Sequence, residues 1–149
     1  MDIPMLGRTK IVMLAASALL VVVSAAGAAE FEVKMLSKGV KGEMVFEPDL
    51  VSIALGDTVH FLPVHLTHEA ASIPGMLPEG AEPFKGELDK KLSVTFTVEG
   101  VYGYKCAPHY SMGMVGLIVV GEPVNLEAVK AVKVLSGAKK RFAEIFAAL

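Results

Sequence analysis

The chain has 149 residues, 14 Lys+Arg against 16 Asp+Glu, a formal net charge of −2, and a single cysteine. That length holds one domain. The near balance of charge, with no block of Lys or Arg and no zinc-finger spacing, gives no footing for nucleic acid, and one cysteine cannot form an intrachain disulfide.

In chain order, the first segment carries Arg8 and Lys10, an apolar run from Ile11 to Val23, and the small residues Ser24-Ala-Ala-Gly-Ala-Ala29. This is the pattern of a secretory signal peptide over residues 1–28, with Ala26-x-Ala28 as the cleavage site. A retained anchor helix is the alternative, but the run is shorter than the roughly 20 apolar residues a span needs. The expectation is export to a bacterial periplasm and a soluble domain over 29–149, free of the membrane after cleavage. That domain carries 12 Lys+Arg and 15 Asp+Glu. In an oxidising compartment its lone Cys106 must be buried, coordinated or open to oxidation.

Short alternating segments follow. Phe31, Val33 and Met35 alternate with polar residues; Val51, Ile53 and Leu55 run to a turn at Gly56-Asp57; Val59 and Phe61 come after it, leaving His60 on the outer face. Leu92, Val94, Phe96 and Val98 alternate with Ser93, Thr95 and Thr97, a period of two with one buried face. Val101-Tyr-Gly-Tyr104, with at least one core tyrosine, and Val115-Gly-Leu-Ile-Val-Val120 complete the set. Strands this short, parted by Gly, Pro and Asp, predict an all-β sandwich of seven or eight strands. Between Pro63 and Lys91 the prolines and glycines interrupt every strand, and an irregular excursion of that length is usually functional. After Gly121, Leu126, Val129, Val132 and Val134 have helical spacing. Gly137 breaks it and Phe142, Ile145 and Phe146 resume it, predicting two short helices with Asn125 as N-cap.

The chemistry concentrates in Lys105-Cys-Ala-Pro-His-Tyr-Ser-Met-Gly-Met114. Cys106 and His109, three residues apart, can be aimed inward by one tight turn. Four further residues return the chain so that Met114 approaches along a third direction; Met112 has only two residues in which to do so. A thiolate, an imidazole and a thioether, completed by a second imidazole, suit copper. His68 is the best second histidine on the irregular segment, and His65 is its rival. Such a mixed set serves Cu(I) and Cu(II) with little rearrangement, and four protein ligands leave no position for a substrate. These residues point to a one-electron carrier.

The same stretch, with Met44-Val-Phe-Glu-Pro48, Gly56-Asp-Thr58, Met76-Leu-Pro-Glu-Gly-Ala-Glu82 and the two-helix tail, resembles the pseudoazurins, type 1 blue-copper proteins of the cupredoxin family. The resemblance spans essentially all of 29–149. It implies an eight-stranded Greek-key β-sandwich with two short C-terminal α-helices, and a monomer holding one copper at His68, Cys106, His109 and Met114. It implies a periplasmic shuttle in denitrification, serving copper nitrite reductase or nitrous oxide reductase and c-type cytochromes. These partners would dock around His109 on a patch of Met44, Pro108 and Met112. Two positions depart from the family's pattern: Glu69 stands where relatives usually have Asn, and Leu66 where they often have Lys. A carboxylate beside a thiolate must be protonated, turned outward or paired.

Three readings compete with the carrier. A buried core thiol is the ordinary fate of a free cysteine. A Cys106/His109 nucleophile needs a third orienting group, and no Asn or Asp is evidently placed for it. A copper-binding or storage module would be better served by several cysteines or a methionine-rich cluster.

Overall fold

Alternation decides the first sheet. Val33, Met35, Val59 and Phe61 are wholly buried while their neighbours face outward, so each strand has one apolar face to cover. The structure, a computed structural model, describes residues 27–149; the expected leader lies outside the described residues as far as residue 26. Strand β1 (Glu30–Gly39) pairs antiparallel with β2 (Gly42–Glu47) and parallel with β4 (Thr58–Pro63). Strand β4 pairs antiparallel with β6 (Leu92–Thr95), for an order β2-β1-β4-β6. The register sets Val33 opposite Phe61 and Phe31 opposite Val59. On the outer face His60 Nδ1 meets Ser93 Oγ at 2.7 Å.

The second sheet has the order β3-β8-β7-β5, from β3 (Leu50–Ile53), β5 (Ala71–Ser72), β7 (Gly100–Lys105) and β8 (Val115–Val120). Strands β3 and β8 are parallel. Parallel neighbours cannot be joined by a hairpin, so the chain crosses between sheets, and the eight strands make a Greek-key sandwich. Every residue of β8 is buried, and the reason is that both its faces are covered. Ile118 and Val120 enter the inter-sheet core; Val115, Leu117 and Val119 enter a second core under the helices. An unbroken apolar run is what such a strand requires.

Aromatic rings fill the inter-sheet core. Phe46, Phe61 and Tyr104 meet edge to face at 4.7 to 6.3 Å, and Phe96 meets Tyr102 at 4.8 Å; each such pair adds about 0.5–1.5 kcal/mol beyond its buried area. Both tyrosines of β7 are therefore core. Tyr102 donates its hydroxyl to the Val98 carbonyl at 2.5 Å. The Tyr104 hydroxyl is buried without a hydrogen-bond partner among the described residues, and burial pushes its pKa far up. Residue 116 is glycine because a Cβ there would run into that ring.

Two expectations about the tail need correction. The helices are α1 (Leu126–Lys130) and α2 (Ser136–Ala147), so the break falls over 131–135, and Gly137 lies inside the first turn of α2. Gly137 serves contact: a Cβ would collide with the Ser111 carbonyl oxygen in the loop after Cys106. Asn125 occupies the N-cap position but makes no capping bond. Its side chain instead accepts from Val101 N at 2.6 Å and donates to Val101 O at 3.0 Å, fastening the tail to β7. A third difference concerns the excursion after Pro63. It contains β5, which sets Ala71 opposite Lys105 and Ser72 opposite Tyr104 and draws the His68 segment alongside the strand that ends at Cys106.

Candidate metal centre

The sequence around Cys106 builds its own frame. Strand β7 ends at Lys105, a 3₁₀ helix covers Ala107–Met112 with Pro108 in its first turn, and Gly113 follows at φ 87°. Pro pre-sets a helical start, and only glycine takes that φ readily. Gly113 has a second constraint, since a Cβ would lie 2.6 Å from the Gly137 carbonyl oxygen. Backbone bonds close the loop: His109 N to Cys106 O at 3.1 Å, Met114 N to His109 O at 3.2 Å, and Cys106 N to Met114 O at 3.0 Å.

His68 arrives from the other side on an irregular segment that distant residues hold. The Asp89 carboxylate accepts from Thr67 N at 2.5 Å and His68 N at 3.1 Å, and Asp89 N donates to His68 O at 2.8 Å. Ser37 Oγ lies 3.0 Å from His68 Nε2. With its proton on Nε2 the ring donates to that hydroxyl, which leaves the Nδ1 lone pair facing Cys106. Neither Ser37 nor Asp89 was singled out from the sequence. Asp89 has a left-handed backbone (φ 60°) of the kind Asp tolerates in turns, a conformation that only the fold reveals; Ser37 carries no local signal.

Cys106 Sγ stands 3.8 Å from His68 Nδ1 and 3.5 Å from His109 Nδ1. All three donor atoms lie within 4.8 Å of one another. His68, Cys106 and Met114 are fully buried and His109 partly so. Met114 is the residue before β8 and belongs to the inter-sheet core, whereas Met112 is 53% exposed. His65 lies outside the cluster; its Nδ1 accepts from Ser37 N at 2.9 Å.

Electrostatics fit a small cation held between these groups. Burial, then the neighbouring His109, lowers the pKa of His68, so its imidazole is neutral and able to ligate. Burial raises the Cys106 thiol, while the backbone N–H groups of Glu69 and His109 act the other way. A thiol raised by burial is a poor free nucleophile but an anion that a bound metal would stabilise. One thiol and two imidazoles converging here, with Met114 buried at the end of the same loop, are a donor set that suits copper. Glu69 is 9% exposed; it lines a surface groove that also includes Lys85 and Lys105, and its carboxylate makes no hydrogen bond or ion pair with a described residue. Lys105 lies over the Tyr110 ring, 4.8 Å from its centre.

Comparison with known proteins agrees with this geometry. Residues 33–121 match the family model described as copper binding proteins, plastocyanin/azurin family. The chain is 45% identical over 128 residues to the pseudoazurin of Paracoccus pantotrophus, covering 85% of this chain and 88% of that one. It is 48% identical over 123 residues to the pseudoazurin of Methylorubrum extorquens, covering 82% and 83%. The crystal structure of native pseudoazurin from Hyphomicrobium denitrificans superposes with a TM-score of 0.77 at 44% identity, over 80% of this chain and 98% of that one. The chain belongs to the cupredoxins and, within them, to the pseudoazurins, electron carriers that bind one copper and are not enzymes.

Proposed function

We propose that His68, Cys106, His109 and Met114 hold that copper, and that residues 29–149, freed of the 1–28 leader, work as a periplasmic electron shuttle. The observation that carries the reading is the convergence of the three donor atoms within 4.8 Å of one another. A type 1 copper supplies a one-electron couple whose two states accept the same ligands. The protein's part is to keep the ligands still. The three backbone bonds of the Cys106 loop and the Ser37 and Asp89 contacts fix the donors, and the buried positions of His68, Cys106 and Met114 exclude water. His109, the partly exposed member of the cluster, is the port through which an electron enters and leaves.

Partners then dock briefly around His109, on Met44, Pro108 and the exposed Met112. The acceptors in this reading are copper nitrite reductase or nitrous oxide reductase, with c-type cytochromes as donors, and the carrier itself is a monomer. Titrating Cu(II) into the purified protein is expected to give an intense blue colour at one equivalent, abolished by reduction and by Cys106→Ser. A colourless adduct overturns the ligand assignment. Steady-state nitrite reduction with purified reductase tests the partner, and the mass of periplasmic protein tests cleavage before Ala29.

A further inference from the structure

The helical tail is charged differently from the sandwich. Residues 122–149 carry five Lys+Arg against three Asp+Glu, whereas 29–121 carry seven against twelve. Part of the surplus surrounds one cleft of about 510 Å³, formed by α1, the connection over 131–135 and α2. Its walls are Val132, Val134, Phe142 and Phe146, with the two phenylalanine rings stacked at 5.7 Å. Its remaining polar lining is Lys130, Lys133 and Lys139, and no carboxylate is among the lining residues. Lys133 and Lys139 make no ion pair with a described residue; Lys130 reaches Glu127 at 3.5 Å, whose side chain is 88% exposed, and lies over the Phe146 ring at 6.0 Å from its centre. An exposed pair of that kind contributes about 0–1 kcal/mol and leaves the ammonium available.

We propose that this cleft binds a single-chain amphipathic anion, with its alkyl chain against Val132, Val134, Phe142 and Phe146 and its head among the three lysines. The volume falls in the range of about 300–1,000 Å³ usual for small-molecule sites, which combine apolar walls with a few convergent polar groups. Charge complementarity selects an anion over a neutral chain. Concavity selects a single chain over a bilayer surface, because Phe142 is buried and Val132, Val134 and Phe146 are half-buried, out of reach of a flat lipid face. The cleft shares no residue with the donor cluster, so the inference stands independently of the copper reading.

The test is calorimetric titration of the intact protein with dodecanoate below its micelle concentration, followed by amide chemical shifts. Saturable one-to-one binding is expected, with the largest shifts at Val132, Val134, Lys139 and Phe146. The Lys133→Glu, Lys139→Glu double variant and the neutral probe dodecanol should each bind at least 10-fold more weakly. Ala143 is exposed and lines the cleft, so Ala143→Phe should fill it and abolish binding; both variants alter exposed positions, and circular dichroism checks that each is folded. Absence of saturation, equal affinity for dodecanol, or shifts centred elsewhere overturns the proposal. So does binding of anionic phosphatidylglycerol vesicles by the unaltered protein without any binding of dodecanoate, which would assign the lysines to a membrane surface.

Discussion

The two sides of the donor cluster are held by different means. On the Cys106 side the polar contacts are near in sequence, residues 106–114 closing on themselves through three backbone bonds, and the one distant brace is a backbone packing contact of Gly113 against Gly137 of α2. On the His68 side they are remote: Ser37 lies 31 positions upstream and Asp89 lies 21 positions downstream. A short loop loses little entropy on closing, whereas a ring on irregular chain must be ordered by contacts that each overcome a longer closure. The first side depends on shape and the second on polar side chains.

Gly137→Ala probes the first side and should have the larger effect. The added methyl meets backbone in the ligand loop, so either helix or loop must move, at a cost of about 3 kcal/mol. Urea unfolding of the copper-free protein measures it, and the visible spectrum of the copper form should shift with it. A change under about 0.5 kcal/mol, the size usual for an inert surface position, would show that the helix does not brace the loop. Asp89→Ala probes the second side: two backbone N–H groups lose their carboxylate acceptor, at a cost of about 2 kcal/mol. Amide exchange at Thr67 and His68 should accelerate, with Asp89→Asn recovering part of the protection through its side-chain carbonyl. Unchanged exchange would mean that the ring is ordered from elsewhere.

The smallest effect separates the sides by pH. In the copper-free fold the pKa of His68 is lowered below its ordinary 6.5, so under acid the unfolded chain binds more protons, and stability falls as pH drops below about 6.5. The Cys106 pKa is raised above its ordinary 9.0; there the folded state keeps a proton that the unfolded chain has released, and stability falls as pH rises past about 9. Unfolding measured from pH 5 to 10 should therefore show two limbs. Cys106→Ser should flatten the alkaline limb between pH 9 and 10 and leave the acid one, and loss of both together would contradict the division.

Much of this was legible beforehand, and unequally. The Cys106 loop could be read because its candidate donors, its proline and its glycine all fall within residues 106–114, and local geometry follows from local residues. Six of the eight strands were legible, five through alternation and β8 through an apolar run that only a doubly covered strand needs, whereas β2 and the two-residue β5 among the prolines and glycines after Pro63 were not. The tail was harder: Gly137 resembles a helix breaker until the carbonyl it rests against is known, and Asn125 resembles a cap until Val101 is found beside it. Ser37 and Asp89 were invisible for a related reason. A serine in a strand and an aspartate in a turn are common, and their roles arise only when the sheets bring Ser37 and Asp89 to His68.

The parallel pairing of β3 with β8 also sets how much chain the second sheet needs. The strand that Met114 precedes is inserted between β3 and β7, so without residues 115–120 β3 has no neighbour in its sheet and only the β5–β7 pair is left. Closure of the second sheet therefore requires the chain as far as Val120, beyond the Cys106 loop itself.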